Sequence, residues 1–579
     1  MGNLISKLQQ QIIMNLNTNL KAENTYDAIV IGSGISGGWA AKELTEKGLR
    51  VLMLERGMNI EHITGYETAM KNPWDFKHAG KLTEEQKRTH PVQKRDYPYQ
   101  EANEKWWVND LECPYTEDKR FDWYRGFHVG GKSLMWGRQS YRLSDHNFED
   151  NAKDGHGVDW PIRYAEMSPW YDYAERFAGI SGSKENWPTC PDGEFLPPMD
   201  LNVVEKSVKA RVEEHYKRER IIMIGRTANL TVPHKGRGNC QYRNLCSRGC
   251  PFGAYFSTQS STLPAAMATK RLTLRPYSIV NHIIYDKDTK KAKGVMVIDA
   301  ETNKTMEFYA KIIFVNGSTL GTTFILLNST SEAHPNGLGN ASGQLGHNLM
   351  DHHFRCGASG EAEGFDDKYT YGRRANGIYV PRYQNIGNDK RDYLRGFGYQ
   401  GGASRANWQS DVAELSFGAG LKEKMTKPGK WTMGLGGFGE MLPYYENKVY
   451  IDKTKKDKWG QPVLAIDCEY KENEKKMRVD MMNDAAEMLE AAGMKNIKTY
   501  DNGCYPGMAI HEQGTARMGA DPKTSVLNKW NQMHEVNNVF VTDGACMPSI
   551  ACQNPSLTFM ALTARAADYA VKELKKNNI

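Results

Sequence analysis

The chain has 579 residues, of which 40% are hydrophobic and 25% charged, and its formal net charge is +6 at pH 7. This length exceeds what one compact core accommodates, so we expect two or more domains with the composition of a soluble globular protein. The mean hydropathy is −0.65, and no apolar run approaches the roughly 18 residues of a membrane span. No stripe of Lys and Arg interleaves with aromatic residues. We therefore expect neither a membrane span nor nucleic-acid binding.

The N-terminal segment, residues 1–23, has the pattern of an amphipathic helix. Its longest apolar run, Ile12–Met14, is far too short for the hydrophobic region of a secretory signal. Apolar residues recur at helical spacing, at Leu4, Ile5, Leu8, Ile12 and Leu16. We expect a helix that packs on the body of the protein or on a partner.

Residues 27–57 read as a strand, a glycine turn, a helix, a second strand and an acid. This order is typical of a dinucleotide-binding unit, in which the first glycine permits the turn and the second admits the pyrophosphate. The third glycine lets the helix pack on the sheet, and the helix N-terminus offers N–H groups to the phosphates. The acid suits a ribose hydroxyl. The candidate cofactor-binding residues here are Gly32, Gly34, Ser36, Gly37, Glu55 and Arg56.

The rest of the chain predicts an α/β domain interrupted by long excursions and by a second domain. Alternating apolar residues predict strands over 271–315, and a second glycine-rich segment spans Gly126–Gly137. Between about 352 and 470 short strands with Gly, Asn and Asp turns predict an antiparallel sheet. A last strand, Val539–Thr542, and a helix beginning near Asn554 close the first domain; Asn554 suits an N-cap and Pro555 the first helical position. We assign 24–59, 120–150, 225–350 and 500–579 to a discontinuous Rossmann-like domain, 60–119 and 151–224 to excursions or a lid, and 351–499 to a substrate-binding domain.

Three of the ten cysteines cluster, at Cys240, Cys246 and Cys250, directly before Pro251. The other seven are dispersed, which is not the pattern of a disulfide framework. Close cysteines before a proline are typical of metal thiolates. An iron–sulfur cluster, a zinc site completed by His234, and unliganded or disulfide-linked thiols all stay open on spacing alone.

Five blocks occur in one order along nearly the whole chain: the loop at 27–57, Val129–Trp136, Gly317–Leu327, His511–Gly519, and Asp543-Gly544 with Asn554–Thr558. With them the chain resembles the glucose–methanol–choline (GMC) oxidoreductase family. The resemblance implies a two-domain fold with FAD and oxidation of a CH–OH group by hydride transfer to the flavin. It also implies an enzyme. The alternative, a non-enzymatic flavoprotein subunit, is disfavoured because His511 and Asn554 are both present.

The resemblance assigns roles residue by residue. His511 matches the catalytic histidine, and Asn554 matches the second active-site position. A neutral imidazole is a suitable base for the substrate hydroxyl, and an amide can hold its oxygen. Met135 stands where relatives with a covalent flavin carry histidine, so we expect non-covalent FAD. The further cofactor-binding positions are Gly130, Gly131, Ser133, Val280, Asp543, Gly544 and Pro555.

The cysteine cluster resembles that of the catalytic subunits of bacterial glucose, fructose and gluconate dehydrogenases within this family. There three cysteines hold a 3Fe–4S cluster, although those relatives often double the first cysteine where this chain has Asn239. This likeness implies a sugar or glycoside dehydrogenase that oxidises a pyranose ring hydroxyl, C3 among the candidates, and passes electrons to a cytochrome c. It also implies a small partner subunit with a Tat signal and a periplasmic location by co-export; a cytoplasmic enzyme and an O₂-using oxidase stay open.

Two further features have no assigned chemistry. His347, His352 and His353 lie in the loop before Phe354, and we interpret them as structural or near the substrate entrance. Glu440 is either a ligand for sugar hydroxyls or an exposed acid without that role.

Overall fold

The computed structural model describes residues 24–370, 372–405, 418–426 and 428–579. The helix predicted near the N-terminus, within residues 1–23, lies outside these ranges. No helix in the described ranges is long and apolar enough to cross a bilayer.

The first of three sheets is mixed and carries the glycine turn. Its central strand, Thr25–Ile31, pairs in parallel with Val51–Leu54 on one side and with Thr305–Val315 on the other. The sheet is completed by Leu272–Arg275, Ser278–Asp286, Lys291–Asp299 and Val539–Val541. Val51–Leu54 is buried along its whole length, as expected of a parallel strand covered on both faces.

Helices pack on this sheet. Ile35–Glu46 packs against the C-terminal helix Ser556–Lys575, which also contacts Tyr164–Ala178. The first helix begins at Ile35, directly after the glycine turn, because Gly34 already has the extended conformation of an N-cap. The strand Val539–Val541 and the C-terminal helix thus return the end of the chain to the sheet that the N-terminal part begins.

The second sheet is antiparallel and has six strands, in the order Lys495–Asp501, Cys356–Ala362, Trp431–Gly439, Phe397–Arg405, Ile378–Val380 and Met223–Ile224. The helix Glu472–Ala491, which the sequence analysis did not identify, packs on this sheet. Its buried methionines Met477, Met481 and Met488 join the apolar core there. A short third sheet contains Lys448–Lys456, Pro462–Asp467 and Thr116–Glu117.

The remaining elements are short or peripheral. The other α-helices are Glu84–Thr89, Asp145–Asp154, Val203–His215, Leu263–Ala268, Thr319–Asn328 and Gly418–Thr426. Single 3₁₀ turns lie at Pro73–Asp75, Gln93–Arg95, Glu104–Trp106, Gly131–Leu134, Cys246–Arg248 and Gly544–Cys546, and a π turn lies at Thr258–Thr262. The excursion 60–119 is therefore mostly irregular, as its lack of periodicity predicts.

The start of the C-terminal helix differs from the prediction. The helix begins at Ser556, with Pro555 at the N-cap position. Asn554 does not cap it, because its side-chain amide is engaged by Gln400 and lies beside His511.

Candidate active site

A cavity of about 1610 Å³ lies between the mixed sheet and the antiparallel sheet. Its walls include the glycine turn at the carboxyl end of the first strand, where α/β sheets bind their ligands. The opposite wall comes from Phe397–Arg405 and Phe438 of the antiparallel sheet, and residues of the excursion 60–119 complete it. Of the predicted site residues, those lining the cavity are Gly32, Gly34, Ser36, Glu55, Arg56, Gly131, Ser133, Val280, His511, Asp543, Gly544 and Asn554.

The three glycines of the turn differ in what requires them. Gly32 has φ +88°, and a Cβ there would lie 2.3 Å from the Asn316 carbonyl oxygen. A Cβ on Gly37 would lie 1.9 Å from the Gly32 carbonyl oxygen. A Cβ on Gly34 would meet no protein atom within 4 Å. Packing therefore requires the outer two glycines, whereas Gly34 leaves space in the cavity for a ligand at the N-terminus of Ile35–Glu46, which fits a pyrophosphate.

Glu55 is held rigidly at the end of the second strand. Its carboxylate accepts hydrogen bonds from the backbone N–H and hydroxyl of Ser33 and from the backbone N–H of Gly57, the last at 3.0 Å. Burial raises the pKa of Glu55, and these bonds oppose the rise. The neighbouring Arg56 pairs with Asp457 at 2.8 Å. Both side chains thus reach the cavity in fixed positions.

The second glycine loop packs directly against the first. A Cβ on Gly131 would lie 3.5 Å from the Cα of Gly34. The Ser133 hydroxyl donates to the Gly130 carbonyl at 2.6 Å and accepts from the Thr258 N–H at 3.0 Å. This hydroxyl therefore closes its own loop, although Ser133 also lines the cavity. Gly37, Gly130 and Pro555 are predicted cofactor residues outside the cavity lining.

Asp543 is buried at the cavity edge. Its carboxylate accepts from the Thr322 hydroxyl at 2.5 Å and from the Ala545 N–H at 3.1 Å. Burial raises the pKa of Asp543 to about 6. The adjacent Gly544 has no room for a side chain, since a Cβ would lie 2.4 Å from the Glu512 carbonyl oxygen. The pair thus fixes the loop that follows the last strand.

His511 and Asn554 meet in the cavity, with Nε2 of the histidine 3.4 Å from Nδ2 of the asparagine. Gln400 donates to Oδ1 of Asn554 at 2.7 Å, so the amide presents its N–H side to the histidine. Enclosure lowers the pKa of His511 well below 6.5, and the nearby Lys132 lowers it further. The ring is neutral at pH 7 and can accept a proton.

Several residues around this pair carry no sequence motif. Asp351 accepts hydrogen bonds from the backbone N–H groups of Gly507, Ala509 and His511, at 2.8, 3.1 and 3.0 Å. It therefore shapes the loop that presents the histidine. Other motif-free residues that line the cavity are Asp96, Tyr97, Arg138 and Gln400. Only tertiary folding brings them together, so no local signal in the sequence could identify them.

The three loop histidines have different surroundings. His347 stacks on Tyr445 with ring centroids 3.9 Å apart. His353 is buried against Tyr470. His352 is buried beside His511.

Glu440 has neither of the two roles expected for it. Its side chain is 1% exposed and does not line the cavity. Its carboxylate pairs with Arg395 at 2.8 Å, and Arg395 also bonds Asp154. The acid is thus part of a buried ion network between the antiparallel sheet and the helix Asp145–Asp154.

The three clustered thiols are half-buried neighbours behind the cavity wall. Burial raises the pKa of Cys240 and of Cys250, and the charges of the neighbouring thiols add to the rise. Tyr242 and Asn244, between the first two cysteines, line the cavity. In the described part of the chain no three His, Cys, Asp or Glu side chains are arranged as metal ligands. The thiols are therefore close together without ligand geometry.

The alternative zinc ligand His234 is engaged elsewhere. Its Nε2 lies 2.9 Å from the Arg176 carbonyl oxygen. Together with the missing ligand geometry, this contact gives the Cys₃His arrangement no support among the described residues.

Comparison with known proteins finds relatives that match nearly the whole chain. The chain is 29% identical to 2-methyl-1,2-propanediol dehydrogenase of Mycolicibacterium austroafricanum, over 94% of each chain. It is 24% identical to the fructose dehydrogenase large subunit of Gluconobacter japonicus, over 95% of this chain and 98% of that one. Among solved structures, pyridoxine 4-oxidase from Mesorbium loti has the same fold, with a TM-score of 0.58, 16% identity, and coverage of 94% of this chain and 98% of that one.

The family profile described as GMC oxidoreductase matches residues 26–354 and 443–563. These two ranges hold the glycine turn, the second glycine loop, His511 and Asn554. The chain therefore belongs to the GMC oxidoreductase family, whose members bind FAD and oxidise CH–OH donors.

Proposed function

We propose that this protein is an FAD-dependent dehydrogenase that oxidises a secondary alcohol of a sugar or glycoside to a ketone. The observation that carries the proposal is the pair His511 and Asn554, whose Nε2 and Nδ2 atoms lie 3.4 Å apart in the cavity. A hydroxyl between them can donate its proton to the histidine and accept a hydrogen bond from the amide. A ring hydroxyl of a pyranose, with C3 as the first position to test, suits this geometry.

FAD fits the space that the glycine turn leaves open. Gly34 reserves room for the pyrophosphate, Glu55 offers a carboxylate for the ribose, and Val280 supplies an apolar wall for the adenine. Asp543 and Gly544 suit the other half of the cofactor. Bound there, FAD supplies the acceptor for the hydride. The side chain of Met135 lines the cavity and cannot form the histidyl bond of covalent relatives, so we propose non-covalent binding.

The protein's own groups handle the proton and the orientation of the substrate. Neutral His511 takes the hydroxyl proton at Nε2 as the C–H bond breaks, and such general-base catalysis contributes ~10²–10⁴-fold in rate. Asn554, with its oxygen occupied by Gln400, donates from Nδ2 to the substrate oxygen. The two contacts fix the substrate hydroxyl and so hold the adjacent C–H bond in one orientation.

The polar lining of the cavity supports a hydroxyl-rich substrate. Asp96 is 6% exposed, and its Oδ2 is buried without a hydrogen-bond partner. A buried oxygen of this kind is costly unless a ligand donates to it, and a sugar hydroxyl is a suitable donor. Other polar residues that line the cavity are Gln139, Asp200, Asn202, Thr370, Arg373, Asn376 and Gln400.

We further propose that electrons leave through an iron–sulfur cluster held by Cys240, Cys246 and Cys250. Three soft thiolates suit iron and sulfide. Tyr97 connects the cluster to the cavity, because it lines the cavity and lies close enough to Cys246 for the charge of that thiol to raise the pKa of Tyr97. A bound cluster would supply one-electron transfer. Because the thiols lack ligand geometry in this structure, support for the cluster comes from the donor set and its position.

A partner follows from this proposal. The relative from Gluconobacter japonicus is described as a large subunit, and we propose that this chain likewise assembles with a small Tat-signal subunit. Co-export would bring it to the periplasm, where a cytochrome c would receive the electrons. Purification of the native complex, with identification of the co-purifying chains, tests this assembly.

A substrate screen tests the enzymatic proposal. Purified holoenzyme is mixed anaerobically with glycosides, free sugars, gluconate and 2-methyl-1,2-propanediol, with a dye as electron acceptor. We expect the highest kcat/KM for a pyranoside and a keto-sugar product by NMR. Turnover of the small diol alone would reject the sugar assignment.

Two measurements separate the routes of electron exit. Iron and sulfide analysis of anaerobically purified protein tests the cluster, with Cys246→Ala expected to lose it and Cys356→Ala, a buried thiol elsewhere, to retain it. Absence of iron from active wild-type enzyme would exclude the cluster. Full-rate peroxide formation with O₂ would favour the alternative, a GMC oxidase.

A further inference from the structure

His511 is in contact with a second histidine on the side away from Asn554. Its Nδ1 lies 3.1 Å from Nδ1 of His352, and the two rings meet nearly edge-on, with centroids 4.9 Å apart and an interplanar angle of 81°. Two nitrogens at this distance form a hydrogen bond only when one of them carries a proton and the other does not. The tautomers of the two rings are therefore linked.

The surroundings of His352 indicate which ring accepts. The side chain is fully buried, and burial lowers the pKa of His352 to about 3, so the ring is neutral. Gln400 occupies Oδ1 of Asn554, so the atom of Asn554 that faces Nε2 of His511 is the donor Nδ2, and a donor there requires Nε2 of His511 to be without a proton. The single proton of neutral His511 therefore lies on Nδ1, which faces Nδ1 of His352 at 3.1 Å. Nδ1 of His352 is left as the acceptor.

We propose that His352 is a positioning residue that fixes the tautomer of His511. It accepts the Nδ1–H of His511, which leaves Nε2 of His511 without a proton and directed at Asn554 and the cavity. This inference rests on the proposed role of His511 as the base. A neutral imidazole carries its single proton on either nitrogen. Without such a partner, part of the enzyme would hold the proton on Nε2 of His511, where it blocks the lone pair that acts as the base.

The neighbouring residue supports the same arrangement. Asp351 holds the backbone of the histidine loop through three N–H groups, including that of His511. Consecutive residues thus fix the backbone and the ring of His511. A hydrogen bond to one imidazole nitrogen determines whether the other nitrogen carries a proton.

Other charged groups lie near His511 and His352 and influence where the substrate proton is held. Lys132 lies near His511 and pairs with Glu512 at 3.3 Å, and Asp351 accepts only backbone N–H groups. When His511 takes the substrate proton at Nε2, its Nδ1–H still donates to neutral His352. The proton therefore stays on His511 until it leaves through the cavity, and His352 keeps its own proton throughout.

The test compares three variants of the holoenzyme. His352→Phe fills the same space without an acceptor, and His352→Asn restores an acceptor oxygen. His353→Phe is the matched control, because His353 is equally buried but packs against Tyr470. Flavin content, melting temperature, kcat, KM and the pH dependence of kcat are measured for each.

We expect His352→Phe to lower kcat about 10–100-fold, with KM within about 2-fold and flavin content unchanged, because it removes part of the general-base contribution. The acid limb of its pH profile should move to lower pH, because the neutral acceptor that stabilises the protonated form of His511 is lost. His352→Asn should recover at least a third of the loss on a logarithmic scale, and His353→Phe should keep the wild-type profile.

Wild-type kcat and pH profile in His352→Phe would overturn the inference, as would an equal loss in His353→Phe or no recovery in His352→Asn. If His352→Phe does not fold, His352→Leu and His352→Gln make the same comparison. His511→Ala separates the two proposals: full activity in that variant rejects the base itself, whereas an inactive His511→Ala beside an unaffected His352→Phe rejects only the positioning role.

Discussion

Nε2 of Gln400 donates a 2.7 Å hydrogen bond to Oδ1 of Asn554 and so decides which end of that amide faces His511. Gln400 lies on a strand of the antiparallel sheet, whereas Asn554 directly precedes the C-terminal helix that covers the mixed sheet. The active site is thus completed by a bond between the two halves of the fold. The arrangement leaves Asn554 with a free N–H donor for a substrate oxygen.

Loss of this bond should misorient the amide. We expect Gln400→Leu to lower the rate of flavin reduction about 5-fold, because one hydrogen bond contributes about 1 kcal/mol and Asn554 would then rotate. Gln139→Leu is the control, since it removes another cavity amide that bonds Asn376 instead. Equal losses in both variants would mean that general cavity polarity, rather than the orientation of Asn554, matters.

The glycines of the turn should respond differently to substitution. Gly34→Val places a side chain where no protein atom lies within 4 Å, so we expect a folded, colourless apoprotein. Gly37→Ala should instead destabilise the fold, because its Cβ would lie 1.9 Å from a carbonyl oxygen. Flavin absorbance and thermal melting of the apoproteins check both. Full flavin occupancy in Gly34→Val would contradict the placement of the pyrophosphate.

The depressed pKa of His511 predicts an unusually flat rate profile. Burial and Lys132 hold this pKa well below 6.5, so the neutral base persists as the pH falls. We expect the rate of flavin reduction to stay level as the pH falls from about 7.5 through 6.5 and to decrease only at the lower, folded-state pKa. Anaerobic stopped-flow over this range checks the profile, and a half-maximal rate near 6.5 would argue against it.

The same burial affects stability with a definite sign. Below about 6.5 the unfolded chain binds protons at histidines that the folded protein keeps neutral. The stability that neutral His352 contributes is therefore complete above 6.5 and decreases as the pH falls toward its folded pKa of about 3. Urea midpoints of wild type and His352→Phe should thus converge on acidification.

Glu440 should matter for stability and not for substrate binding. Its pair with Arg395 is 1% exposed on both sides, and removing one partner of a buried ion pair costs about 3–5 kcal/mol. Arg395 keeps Asp154, so we expect Glu440→Leu to lose about 3 kcal/mol or less, with KM unchanged. Denaturant unfolding and steady-state kinetics measure the two effects. A raised KM with unchanged stability would restore the sugar-binding role.

Local patterns were sufficient to predict much of the fold. The turn at Gly32–Gly37 is encoded by contiguous residues, and the segment 271–315 holds the predicted strands, at Leu272–Arg275, Ser278–Asp286, Lys291–Asp299 and Thr305–Val315. His511 and Asn554 were found through motifs, and the structure brings them together in one cavity.

Features that depend on distant contacts were not predictable. Gln400, His352 and Asp351 act through atoms contributed by other elements, so no spacing identifies them. Asn554 has the composition of an N-cap, but its tertiary partners outweigh that local preference. Glu440 shows the same limit, because only folding reveals that two arginines enclose it.

The central claim is that His511 is the base for alcohol oxidation. The most direct measurement is anaerobic single-turnover reduction of the flavin by the best glycoside, in wild type and in His511→Ala, with His347→Ala as a histidine control outside the cavity. We predict equal flavin content in all three, normal bleaching in His347→Ala, and bleaching at least ~10²-fold slower in His511→Ala. Bleaching of His511→Ala at the wild-type rate would contradict the account.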